Sequence, residues 1–117
     1  MNFSTQVKEQ TLVITIEGKL LGDGSELLLI DQLKTFMEED DIRRVAVDLR
    51  PLALLNSQGL NVLLRMLAKV RNRGGELVLV RPPENIQKLL LMTKLNAIFT
   101  ILDSPEAAIE LLENLPA

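Results

Sequence analysis

The chain has 117 residues, 47% of them hydrophobic and 25% charged, with a net charge of -3. That length suits one domain, residues 1–117, with a two- or three-layer core, and the composition excludes wholesale disorder. The acidic balance, with three Phe and no Trp or Tyr, lacks both the basic patch and the stacking platforms of a nucleic-acid binder.

Cysteine and histidine are both absent. Disulfides, thiolate chemistry, thiol or imidazole metal ligation and Ser-His triads are therefore excluded. The opening Met1-Asn2-Phe3-Ser4-Thr5 has no basic segment followed by an apolar stretch, and no apolar run is long enough to span a bilayer. The expectation is a cytoplasmic chain with no signal peptide and no membrane insertion.

Residues 3–9 alternate weakly, and Leu12-Val13-Ile14-Thr15-Ile16 is apolar and β-branched, so Glu9-Gln10 between them predicts an opening hairpin. Residues 18–24 form a turn-rich connection. Asp23 and Glu26 read as a capping pair for a helix running to about residue 40, its core face being Leu29, Ile30, Leu33, Phe36 and Met37. The run Arg44-Val45-Ala46-Val47-Asp48-Leu49 is a strand pattern, and Asn56-Ser57-Gln58-Gly59 leads into a helix over 57–73 that Gly74-Gly75 ends. Glu76-Leu77-Val78-Leu79-Val80 is the next strand. Pro83 opens a helix reaching residue 94, and 98–101 make a short last strand. Asp103 or Ser104 caps a final helix ending near 115–116.

After the hairpin, helices and strands alternate, and parallel strands need such crossovers. The continuous apolar strands 45–49 and 77–80 fit burial on both faces. The fold class is α/β: a single-domain sandwich with a mixed, mostly parallel sheet of about five strands and about four α-helices.

This ordered set of segments resembles the STAS domain, the module of sulphate transporters and anti-sigma factor antagonists. The resemblance spans nearly the whole chain. It rests on the hairpin ending in Gly18, the strand Val45-Ala46-Val47-Asp48-Leu49 and the loop Asn56-Ser57-Gln58-Gly59-Leu60. It continues through Gly74-Gly75-Glu76-Leu77-Val78-Leu79 and the segment from Phe99 to Ala108. In that family the loop reads Asp-Ser-Ser/Thr-Gly, and a kinase that is also the anti-sigma factor phosphorylates the second hydroxyl residue. Only the unmodified form captures the kinase and frees the sigma factor.

Here the family Asp corresponds to Asn56 and the phosphoacceptor to Gln58, which takes no phosphate, while Ser57 and Gly59 match. Leu21 also stands where many relatives carry Asp. The resemblance thus implies a non-enzymatic regulator that binds an anti-sigma factor (a serine protein kinase) and needs no cofactor. The alternative is a STAS subunit of a larger assembly, such as a lipid-transport complex or a signalling scaffold.

The residues allow bland readings beside these. Asn56 and Ser57 are both good helix caps, and Gly59 suits close packing as well as partner approach. Taking Leu60, Leu63, Leu64 and Leu67 as the core face of the 57–73 helix leaves Val62, Arg65, Met66, Lys69 and Arg73 opposite. Two apolar residues within that basic stripe predict a partner-binding face that begins at Gln58. The run Glu38-Glu39-Asp40-Asp41 reads as a solvated helix end, since four adjacent carboxylates cannot converge on one metal ion. Leu27-Leu28-Leu29-Ile30 and Leu89-Leu90-Leu91-Met92 read most simply as core with an extra apolar residue or two, with a homodimer left open.

Overall fold

The computed structural model describes residues 1–115. Strands β1 (Asn2–Lys8) and β2 (Thr11–Leu20) form the expected antiparallel hairpin around Glu9-Gln10. They are followed by α1 (Leu27–Glu39), β3 (Arg44–Asp48), β4 (Leu52–Leu55), α2 (Ser57–Asn72), β5 (Glu76–Val80) and α3 (Glu84–Met92). A 3₁₀ turn at Leu95–Ala97, β6 (Thr100–Leu102) and α4 (Pro105–Glu113) complete the described residues. Residue 116, at the expected end of the last helix, lies outside them.

The sheet runs β1-β2-β3-β5-β6, antiparallel only between β1 and β2. A sixth strand, β4, pairs in parallel with the end of β2, from Gly18 to Leu20, beyond the stretch of β2 that pairs with β3. The sequence pattern gave no sign of β4, because Arg50-Pro51 interrupts the apolar run just before it. The interruption is a built turn. The buried Asp48 carboxylate accepts from the Arg50 backbone N–H at 3.1 Å and from its guanidinium at 2.7 Å, and the Leu52 N–H donates to the Leu49 carbonyl.

Strand alternation divides the core in two. Leu12, Ile14 and Ile16 of β2, Val45 and Val47 of β3 and Leu77 and Leu79 of β5 face α1, α2 and α3. The opposite set, Val13, Ala46, Val78 and Val80, is covered by Ala108 and Leu112 of α4. Glu113 fixes α4 by accepting from the Thr11 hydroxyl at 2.6 Å and pairing with Arg44 at 3.5 Å. On α1, Leu29, Leu33 and Met37 are buried as expected, with Ile30 and Phe36 half-buried beside them. Ser104, rather than Asp103, caps α4, accepting from the Ala107 N–H at 3.1 Å.

Candidate functional site

Strand β4 delivers the chain to the head of α2 with Asn56 in an extended conformation, and its side-chain oxygen accepts from the Gly59 N–H at 2.8 Å. Asn56 is therefore the cap. Ser57 becomes the first helical residue, exposed, with its hydroxyl left out of the cap. Gly59 is buried: a Cβ there would collide with the carbonyl oxygen of Leu20 and crowd the Leu55 side chain. Its hydrogen side chain is what lets α2 lie directly on the end of β2.

Gln58 is exposed next to this contact, and the β2–α1 loop backs it. Gly22 has φ +67, and a Cβ on it would lie 2.6 Å from Gln58 Cβ. The left-handed backbone and the close approach both favour glycine at that position. Residues 21–25 and the head of α2 thus share one surface at the C-terminal end of β2 and β4.

The loop is held by its own side chains. Asp23 accepts from the Ser25 hydroxyl at 2.7 Å and the Ser25 N–H at 3.1 Å; the hydroxyl first, then the amide, hold its carboxyl below the usual range. Glu26, buried, accepts from the Gly24 N–H at 3.0 Å. The expected Asp23/Glu26 capping box is therefore a self-closed turn: α1 starts at Leu27 without a side-chain cap, because both carboxylates are spent on the loop.

The expected partner face of α2 needs correction. Val62 and Met66 are 2% and 0% exposed, core residues and not surface. The buried arc is centred on Gly59, Leu63, Met66 and Val70, and includes Leu60, Val62 and Leu67. The expected core face of Leu60, Leu63, Leu64 and Leu67 lies roughly 70° away from it, at about 100° of rotation per residue. Leu64, assigned to the core, is half-buried on the flank.

The outer stripe carries Gln58, Asn61, Arg65, Ala68 and Asn72, with Lys69 half-buried at its margin. Arg65 and Lys69 thus stay on the same side as Gln58, while Asn61 and Ala68 join them. Arg73 lies at the far end of the helix, roughly 22 Å of rise from Gln58, and its guanidinium donates to the Met37 carbonyl at 3.3 Å. It fastens α2 to α1.

The acidic run at 38–41 is exposed, and Asp41 pairs with Arg43 at 3.3 Å. A cavity of about 760 Å³ lies at that opposite end of the sheet, between the hairpin turn, Asp40–Arg44 and Gly74–Glu76. Its charged walls are largely paired internally through Arg43–Asp41, Arg44–Glu113 and Arg71–Glu76. It shares no residue with the surface around Gln58.

The chain matches the STAS domain over residues 2–108 and belongs to that family. Its fold is similar to that of a putative anti-sigma factor antagonist from Thermotoga maritima, at 21% identity and a TM-score of 0.80, covering 96% of this chain and 95% of that one. It is also similar to the anti-sigma factor antagonist SpoIIAA in its unphosphorylated form, at 17% identity and a TM-score of 0.76, covering 97% and 100%. The fold recurs within murine Slc26a9, an anion transporter, at 14% identity and a TM-score of 0.77, covering 94% of this chain but 19% of the transporter. Among the described residues, no helix is long and apolar enough to cross a membrane.

Proposed function

We propose that this STAS-family chain is a non-enzymatic regulator that captures an anti-sigma factor of the serine-kinase type and thereby releases a sigma factor in the cytoplasm. The observation that carries this reading is Gln58, an exposed neutral residue at the head of the outer stripe of α2. It stands where the family resemblance puts the phosphoacceptor. A phosphate there would add about -1.5 to -2 charges to the surface and oppose docking. Glutamine adds none at any pH, so at this position the chain stays electrically in the unmodified, capture-competent state.

The docking surface comprises the cap residues Asn56–Gly59, the ridge at Leu21-Gly22 and the outer stripe through Asn61, Arg65 and Lys69. Its basic margin favours an acidic patch on the partner. Support for the partner class comes from the solved relatives described as anti-sigma factor antagonists, SpoIIAA among them in both unphosphorylated and phosphorylated forms.

The test is affinity capture from the native cell, comparing the wild-type chain with Arg65→Glu and identifying retained proteins by mass. Recovery of a kinase-type anti-sigma factor, lost at least about tenfold in the variant, is expected. Incubation with that kinase and ATP should leave Gln58 unmodified, whereas Gln58→Ser should gain a phosphate. Stoichiometric phosphate abolished by Ser57→Ala would move the switch one residue towards the cap. Recovery of transporter subunits instead would replace this reading with a role inside a larger assembly.

A further inference from the structure

The two edges of the sheet are built differently. At one edge β6 is only three residues long, too short to template another strand. At the other, β1 is seven residues long, Asn2-Phe3-Ser4-Thr5-Gln6-Val7-Lys8, with no proline, no glycine and a single charge at its end. Its pairing with β2 is regular throughout, without a bulge. Shortness, charge, proline and bulges are the devices that keep a strand edge from pairing, and β1 uses none of them along its length.

The hairpin also dictates which backbone groups face outward. The turn at Glu9-Gln10 closes on the pair Lys8–Thr11, and hydrogen-bonded pairs alternate along an antiparallel ladder. Counting back, Lys8, Gln6, Ser4 and Asn2 bond to β2. Phe3, Thr5 and Val7 turn their N–H and C=O groups to the open edge.

We infer that β1 pairs antiparallel with β1 of a second copy of this chain about a two-fold axis at Thr5, making one sheet continuous through a dimer. In that register Thr5 faces Thr5, and Phe3 of each copy faces Val7 of the other. Every outward backbone group of the three residues is then satisfied, about six hydrogen bonds in all.

The side chains agree on both faces. On the helical face, Val7, 45% exposed in the single chain, enters the second copy's groove of about 400 Å³ beside Phe3 and the exposed Leu28. The residues along this groove from the β2–α1 loop and α1, Ser25, Leu28 and Gln32, carry no charge. On the other face, Lys8 stands opposite Asn2 of the second copy. Across β1 and β2, Asn2 pairs with Glu17. Each Lys8 is therefore two strand spacings, about 10 Å between Cα atoms, from the second copy's Glu17, within mutual reach of two long side chains. Two such opposite-charge pairs flank the axis, and along β1 itself no like charges face each other across it.

Sedimentation of the full chain over a concentration series should show a monomer–dimer equilibrium. Val7→Lys, a change at an exposed position that leaves the thermal transition in place, should weaken that equilibrium at least about tenfold. Because the chain has no cysteine, register can be read directly. Thr5→Cys copies should join efficiently through a short bis-maleimide, whereas Lys8→Cys copies, about 20 Å apart in this register, should not. A chain that stays monomeric overturns the inference. So does a dimer indifferent to Val7→Lys or one that cross-links through Lys8→Cys. A monomer that loses its captured cellular partner in Val7→Lys would assign the edge to a strand from that partner instead, and would equally overturn it.

Discussion

The inner and outer faces of α2 differ more than their sequences suggest. The inner face is a glycine followed by large aliphatic residues, Gly59, Leu63, Met66 and Val70, with Leu60, Val62 and Leu67 widening it. The outer face is narrow, polar and uncharged at its head, and basic only from Arg65 onward. The helix packs on β2, β4 and β5 and touches α1, so its buried arc is broad, and apolar content by itself does not locate the centre. The residue that does is Gly59, whose missing side chain marks where the backbone of α2 meets that of β2.

The difference can be broken most severely from inside. Met66→Glu puts a carboxylate among fully buried aliphatic residues and should cost more than about 4 kcal/mol, leaving the domain unfolded by circular dichroism at room temperature. Gly59→Ala comes next and has a diagnostic sign. In an exposed helix position alanine would add about 1 kcal/mol of stability. Here its methyl collides with the Leu20 carbonyl, so urea unfolding should show a loss of about 3 kcal/mol. Stabilisation would mean that α2 stands farther from β2 than described.

At the junction of the faces, Asn56→Ala removes the cap to the Gly59 N–H and should lower stability by about 1 kcal/mol. On the outer face, Arg65→Glu should change stability by less than about 0.5 kcal/mol while weakening the proposed partner capture at least about tenfold. The smallest effect belongs to the loop behind Gln58. Asp23 is held below its ordinary carboxyl range, by the Ser25 hydroxyl first. Its contribution is therefore present above the unfolded-state pKa and fades as pH falls through the depressed one. An NMR titration should show the Ser25 amide shifting only in that acid range, and Ser25→Ala should move the Asp23 midpoint upward.

How much of this could be read beforehand varies along the chain. The hairpin, the β3 and β5 strands and all four helices were legible, because periodicity and glycine or proline punctuation agree there. Strand β4 was not: its pairing with Gly18–Leu20 is a tertiary fact, hidden behind a turn that Asp48 and Arg50 make. The loop at Asn56–Gly59 was legible as a helix entrance. The rotation of α2 was not, because Val62, Leu64 and Met66 are equally apolar in sequence and only the neighbouring elements decide which are covered. The stripe Gly59, Leu63, Met66, Val70 carried the missing signal, had the glycine been counted as a core position.

The attachment of α4 has a consequence for the order in which the fold is completed. Glu113 bonds to Thr11 and Gln10, residues 102 and 103 positions earlier in the chain. A contact of that separation forms only after nearly everything between is already in place, and loop closure makes it slow. While the chain is being made, the sheet face of Val13, Ala46, Val78 and Val80 has nothing to cover it until Ala108 and Leu112 emerge. A nascent chain stalled before Pro105 would therefore present that aliphatic strip to chaperones or to its neighbours on the polysome, and release of α4 would mask it.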